Sequence, residues 1–492
     1  MKIKTPTLVG LTGMLIVSIM TGCHSSGDSE DELDDQLRGI IQEKNLSGNP
    51  NKDNAVVIPD INMPLAQLGM KLFFSKALGG DMDAACVTCH HPVLGGGDNL
   101  TLPIGTSAEN PELLGPGRAH KTTAQGYDGG PTVPRNSPTT YNIALWKQGL
   151  FWDSRVEKMA NGNISTPDSG FDTADTMASD LVSAQARFPV TSDAEMRGFT
   201  FEQDQGNEAV RNHLAARLGD YGIGVGYLEN NQWRSEFEAV YGAADPDQLV
   251  SFERVVDAIA AYEKSQFFIN TPWKAYIEGD ANAINESAKQ GALLFYRPLA
   301  EGGANCVECH SGDFFTDERF HVLGTAQVGR GKGVGEFGDD DFGRFLVTDN
   351  EQDLYAFRTS TLLNVAQTGP WGHAGAYSSL EAIVRQHLNP VKAFDNYDYQ
   401  QLDPGVQTSN TERNTRTALA KLQTLRQQGD IKTIQDVELS DEQVADLVSF
   451  LEALTDPCVT DRNCLAKWMP NENTSNPDGE RLNAKNVNGS AL

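Results

Sequence analysis

Two pentapeptides carry the strongest chemical signal in this chain, Cys86-Val87-Thr88-Cys89-His90 and Cys306-Val307-Glu308-Cys309-His310. Two thiols with two residues between them can both form thioethers to one macrocycle, while the next side chain turns its imidazole onto the metal. That is the attachment pattern of a c-type haem. In a chain with 7 Cys and 9 His among 492 residues, one such match arises by chance roughly 0.002 times, so two chance matches can be dismissed. A zinc site or a redox dithiol would use the thiols but gives the adjacent His no work. The sequence therefore specifies two covalently bound haem c groups, with His90 and His310 as proximal iron ligands.

Each motif needs an element to hold it, and an internal repeat supplies one. Leu68-Gly69-Met70-Lys71-Leu72-Phe73-Phe74 precedes the first motif, and Gln290-Gly291-Ala292-Leu293-Leu294-Phe295-Tyr296 precedes the second at nearly the same distance. Both read as helices packing a Leu-Phe face on a haem, and the duplication implies two related domains. The stretch Phe252 to Tyr262 has apolar residues at helical spacing and should close the first domain. Asp441 to Leu454 plays that part in the second, through Val444, Leu447, Val448, Leu451 and Leu454. The expected fold is mainly α: two cytochrome c-like haem domains, residues 56–265 and 266–470, with long loops. Residues 24–55, rich in Ser, Gly, Asp, Asn and Lys, read as a flexible tether, and the polar, Asn-rich residues 471–492 as a disordered tail.

The length is enough for two or three real cores. A formal charge of −28 argues against a general nucleic-acid binder and suits solubility, or attraction of a basic redox partner. At the N-terminus, Lys2 and Lys4 precede an apolar run from Leu8 to Met20, too short and too early for a spanning helix. The run ends in Met20-Thr21-Gly22-Cys23, which resembles a bacterial lipobox. Residues 1–23 thus read as a lipoprotein-type signal, with Cys23 lipidated and the lipid as the only membrane contact; ordinary secretory cleavage nearby is the alternative. Either implies a periplasmic or cell-envelope location. Cys458 and Cys464 remain, and in an oxidising compartment they read as a local disulfide.

The two haem motifs lie about 220 residues apart, and with the segments around them they resemble the bacterial di-haem cytochrome c peroxidase family. That family includes the MauG-like enzymes that oxidise a partner protein. The likeness runs from about residue 60 to 455. It rests on Asp98-Asn99-Leu100, Pro134 to Thr139, Phe151-Trp152-Asp153-Ser154-Arg155, Pro189-Val190 leading to Glu195-Met196, and Leu363-Asn364-Val365-Ala366 leading to Pro370 through Gly375.

The resemblance implies a peroxide site at the first haem. Glu195 matches the distal acid and Gln185 its amide neighbour. On sequence alone Glu195 would be a surface acid; in a haem pocket, desolvation would raise its pKa and help it return a proton. In many family members a His on the loop after Asp-Asn-Leu blocks the distal side until reduction. Thr106 stands there instead, which implies an open sixth position, with His91 and His120 as the rivals for it. At the second haem, the family's distal ligand is Met or Tyr, and the matching position is His387. Bis-His ligation would lower the potential; a structural His on a helix face is the alternative. His373 and His321 would hydrogen-bond propionates or backbone. Trp152 matches the indole that relays electrons between the haems, or is a core Trp, or both. The resemblance also implies a calcium ion held by the Asn136 side chain and the backbone carbonyls of Thr368 and Pro370. The implied activity is reduction of hydrogen peroxide, with electrons from a small cytochrome c or cupredoxin. The rivals are a MauG-like oxidase acting on a partner protein and a non-catalytic di-haem electron carrier.

Overall fold

Each half of the molecule is organised around two crossed helices, and the crossing explains the repeat. In the computed structural model, which describes residues 26–429 and 434–492, helix Pro64–Phe73 crosses Phe252–Lys264, and helix Glu286–Tyr296 crosses Asp441–Glu452. A Cβ built on Gly69 would lie 1.9 Å from the Ala258 carbonyl oxygen and 2.9 Å from the Tyr262 Cβ. One built on Gly291 would lie 1.9 Å from the Asp446 oxygen and 2.9 Å from the Phe450 Cβ. The two partners are one helical turn apart in both cases, so the same contact is made twice. Only a residue without a side chain lets the backbones approach this closely.

The helix ends are written locally. Pro64 opens the first helix, where its missing N–H costs nothing. The side chains of Ser251, Asn285 and Ser440 each accept the backbone N–H three residues on, and Ser440 forms a reciprocal capping box with Gln443. Leu68, Leu72, Phe73, Val255, Ile259 and Tyr262 are buried in one core, and Leu293, Phe295, Leu447, Phe450, Leu451 and Leu454 in another.

Both chain ends depart from the sequence expectation. Residues 24–55 are not a loose tether: Ser26–Glu43 is a helix docked on the second core through Leu33 and Leu37. Its Asp34 pairs with Lys289 at 2.7 Å and accepts from the Tyr276 hydroxyl at 2.7 Å. Asp313, close to the second haem motif, accepts from the backbone N–H groups of Ser47 (2.9 Å) and Gly48 (2.8 Å). Composition misled here because Leu33, Leu37, Ile40 and Ile41 give an otherwise polar helix one apolar face. The C-terminal residues 471–492 are likewise not disordered. Leu482 is buried and donates its N–H to the Phe74 carbonyl (2.8 Å), while Asp478 accepts from Trp233 Nε1 (2.6 Å) and Ser75 Oγ (2.9 Å). From Val459 to Leu482 the chain packs on the first core, so the second domain does not extend to residue 470. The Cys458–Cys464 disulfide forms at the start of this segment.

The remainder is mainly helical with long loops. A three-stranded antiparallel sheet, Gly149–Leu150, Val156–Lys158 and Ile164–Ser165, carries Trp152 in its first turn. A two-stranded sheet pairs Phe320–Val322 with Ala356–Arg358. The Arg358 N–H donates to the Trp152 carbonyl (2.9 Å), so the two halves meet at this Trp. Among the described residues no helix is long and apolar enough to cross a membrane. The apolar N-terminal run and Cys23 lie outside the described residues.

Candidate functional site

The second Cys-x-x-Cys-His motif opens onto an internal cavity lined by Cys306, Cys309, His310, Trp152, Trp146 and His387. His387 sits near the end of helix Leu380–Leu388, where its Nδ1 donates to the Ile383 carbonyl (2.8 Å). His310 Nδ1 donates to the Phe315 carbonyl (3.1 Å). Both bonds fix the tautomer so that Nε2 carries the free lone pair. A metal–imidazole bond of about 2.0–2.1 Å puts each ring centre about 3.1–3.2 Å from the ion, so two rings on opposite sides of one metal sit about 6.3 Å apart. The His310 and His387 ring centres are 6.3 Å apart. Burial, and then His387, holds the His310 imidazole down at about 4; burial also lowers His387, so both stay neutral and able to ligate.

Trp152 borders the same cavity and reaches toward the first motif. Its Nε1 donates to the Asn136 carbonyl (2.9 Å), and the next residue, Ser137, donates from Oγ to the Cys89 carbonyl (2.7 Å). Ser137 Oγ also lies 3.3 Å from His90 Nδ1, which donates to the Gly96 carbonyl at 3.1 Å. One short stretch of chain thus connects the indole to the proximal His of the first site.

Around that first site the described residues are held by backbone contacts. Glu195 rides on a π-helical turn, Asp193–Arg197, and Gln185 on helix Leu181–Ala186. Burial raises the Glu195 pKa above the ordinary carboxylate value, and Arg155 and Lys332 work against the rise. Thr106, fully buried, donates from Oγ1 to the Asp193 carbonyl (2.9 Å) and from its N–H to the Ala194 carbonyl (3.1 Å). Gly105 permits this approach, since a Cβ there would lie 2.3 Å from the Glu195 carbonyl oxygen. The loop bearing Thr106 is thus pinned to the turn bearing Glu195.

Arg118, which sequence reasoning missed, clamps the same loop. Its guanidinium donates to the carbonyls of Ile104 (2.6 Å), Gly105 (2.8 Å) and Leu113 (2.7 Å). His120 is turned into its own loop, with Nδ1 donating to the Lys121 carbonyl (3.0 Å) and the ring stacked on Tyr127. His91 accepts the Val93 N–H and packs its edge on Phe74. His373 bonds to the side chains of Thr325 (3.1 Å) and Gln327 (3.4 Å) and stacks on Phe357 at 3.7 Å, where backbone or propionate contacts were expected. His321 bonds Asp317 (2.8 Å); burial opposes its charge, but Asp317 raises it to about 10. These two groups gather beside the Cys309 thiol.

The residues fit haem c on grounds other than the motif. The cavity at the second motif is lined by a buried Arg358 whose Nη1 has no hydrogen-bond partner among the described residues, and a haem brings propionate carboxylates. Asn136, Thr368 and Pro370 line the same cavity, and the Asn136 amide nitrogen donates to the Leu100 carbonyl (3.0 Å). A further missed network ties the halves: Arg135 bonds Asp341 through Nε (2.6 Å) and Nη2 (2.7 Å), and Asp153 through Nη1 (2.6 Å), all buried. An Arg between two aspartates was readable only as surface charge, because its partners lie 18 and 206 positions away.

Known proteins agree with this geometry. The family model described as di-haem cytochrome c peroxidase matches residues 64–282. The methylamine utilization protein MauG of Methylorubrum extorquens is 26% identical over 364 residues, 73% of this chain and 77% of the relative. The cytochrome c551 peroxidase of Pseudomonas aeruginosa is 26% identical over 318 residues, 65% of this chain and 70% of that one. Among solved structures, a MauG-like protein associated with microbial copper homeostasis superposes with a TM-score of 0.54 at 19% identity, over 86% of this chain and 97% of its own. The diheme peroxidase BthA of Burkholderia thailandensis gives 0.50 at 19%, over 88% and 92%. In sequence this chain is similar to di-haem cytochrome c peroxidases and MauG proteins, with the family model matching residues 64–282, and in fold it is similar to the two solved structures.

Proposed function

We propose that this protein is an exported peroxidase that reduces hydrogen peroxide at its first haem and keeps the second as an electron store, each haem in one cytochrome c-like half. The supporting observation is the asymmetry between the two sites. His310 faces His387 at the separation of a doubly ligated metal, whereas the loop facing the first site offers Thr106, whose hydroxyl is spent on the Asp193 carbonyl. When bound, haem would supply the iron for peroxide and the electrons for cleaving its O–O bond. The chain supplies the rest. Glu195, whose pKa burial raises above the ordinary carboxylate value, would in its ionised form take a proton from peroxide and return it to the leaving oxygen. Gln185 orients the peroxide by hydrogen bonding, and Trp152 carries electrons between the sites. His90, His310 and His387 hold iron, and a calcium ion on Asn136, Thr368 and Pro370 braces the junction. A small cytochrome c or cupredoxin supplies electrons, and Cys23 anchors the protein to the envelope through lipid.

A second reading, a MauG-like oxidase acting on a partner protein, is favoured by Thr106, since such an enzyme would need no reductive opening. Electron paramagnetic resonance of the resting oxidised holoprotein tests the asymmetry. One high-spin and one low-spin ferric signal, with peroxide consumed without prior reduction, is the expected result. Two low-spin signals and no reaction would leave a non-catalytic electron carrier.

A further inference from the structure

Arg358 carries a buried charge that no carboxylate of the described residues pairs directly. It is 7% exposed, lines the cavity that also holds His310 and His387, and has a buried Nη1 with no partner among the described residues. Its Nε donates to the Phe151 carbonyl (3.1 Å), and its guanidinium lies over the Trp146 ring at 3.4 Å. These contacts fix its direction without neutralising it. Two carboxylates act on it electrostatically, Glu318 and Asp153, and both are engaged elsewhere. Glu318 accepts the N–H groups of Lys147 (2.9 Å) and Gln148 (2.8 Å), and Asp153 pairs with Arg135 and Arg155. Of the other titratable side chains on that wall, His321 pairs with Asp317, His373 bonds Thr325 and Gln327, and Glu308 is exposed to solvent. Burial alone pushes the guanidinium down to about 9. A buried cation in this condition costs several kcal/mol unless a counter-ion meets it, and a guanidinium matches a carboxylate in shape.

We propose that Arg358 is the anchor for a propionate carboxylate of the second haem, and that it keeps this propionate ionised and the haem's potential independent of pH. The assignment rests on haem occupying that cavity. It makes Arg358 a positioning residue that links the haem edge to Trp152, since its backbone N–H also holds the Trp152 carbonyl. A propionate paired with a buried guanidinium stays charged through the neutral range, so the electron arrives without a proton. Replacing the cation by a neutral group leaves a buried, unpaired carboxylate whose pKa rises into that range.

The test is spectroelectrochemical titration of the second haem in holoprotein between pH 5 and 8, on wild type, Arg358→Lys and Arg358→Gln. Haem content by mass and low-spin absorption are checked first, because a chain with no second haem would refute the haem assignment and not the anchor. The wild-type potential is expected to be flat with pH. In Arg358→Gln the equilibrium for reduction should fall at least tenfold at pH 8, 59 mV for one electron, and recover toward pH 5. Arg358→Lys should lie near wild type. A wild-type potential that itself falls with pH, or a Gln variant as flat and as high as wild type, would overturn the proposal. The wild-type measurement stands even where the Gln variant does not assemble.

Discussion

Glu195 gives the sharpest test of the catalytic reading. Glu195→Gln preserves side-chain volume and hydrogen bonding but cannot take up a proton. General acid–base assistance of this kind is worth about 10²–10⁴ in rate, or about 2.7–5.4 kcal/mol of barrier, and the second-order rate of peroxide consumption should fall by that factor. The pH profile carries the electrostatics. Burial raises the Glu195 pKa, while Arg155 and Lys332 lower it. The base must be ionised to act, so the wild-type rate should drop as pH falls through a value above the usual carboxylate range. Lys332 is itself held down to about 8 by burial and by Arg155 and Arg135, against Asp153 and Asp341. Its ammonium is one of the two cations that lower the Glu195 pKa. Lys332→Met removes one of the two cations that offset burial, so the acidic limb should move to higher pH with the plateau rate little changed. Stopped-flow mixing with peroxide from pH 4 to 9 measures both variants. A wild-type rate in Glu195→Gln would refute the reasoning outright, and an acidic limb that stays put in Lys332→Met would show that the charge does not reach the carboxylate.

Two further predictions concern the scaffold. Gly291→Ala introduces a Cβ 1.9 Å from the Asp446 oxygen. Overpacking of about 1–3 kcal/mol outweighs the about 1 kcal/mol gained in helix propensity, so thermal unfolding of the holoprotein should show a net loss, matched by Gly69→Ala in the other half. Leu37→Ala empties a fully buried position on the docked N-terminal helix, with about 2–5 kcal/mol at stake. That helix should become protease-sensitive while both haem spectra stay unchanged; cleavage no faster than wild type would mean that the helix is not latched through Leu37.

Much of the site was legible because haem attachment is a local code. Cys-x-x-Cys-His needs no tertiary information, and Gly69 and Gly291 fall at matching offsets because the same crossing is built twice. The position of His387 opposite His310 came from an ordered family pattern. What stayed hidden depends on partners far along the chain. Arg118, Arg135 and Arg358 look like solvated charges until the fold brings carbonyls, aspartates or a cavity wall to them. The two termini were misread for a related reason. Composition reports how much apolar surface a segment has, but not that Leu33, Leu37, Ile40, Ile41 and Leu46 at one end and Leu482 at the other, with a buried aspartate each, seat it on a core.

The termini also cross over. The N-terminal helix seats on the core of the C-terminal half, and residues 459–482 return to complete the core of the N-terminal half. A gene cut at the midpoint would give two fragments, each lacking a piece that the other carries, so the duplicated halves are no longer interchangeable units. The interleaving ties each half to a segment from the far end of the chain.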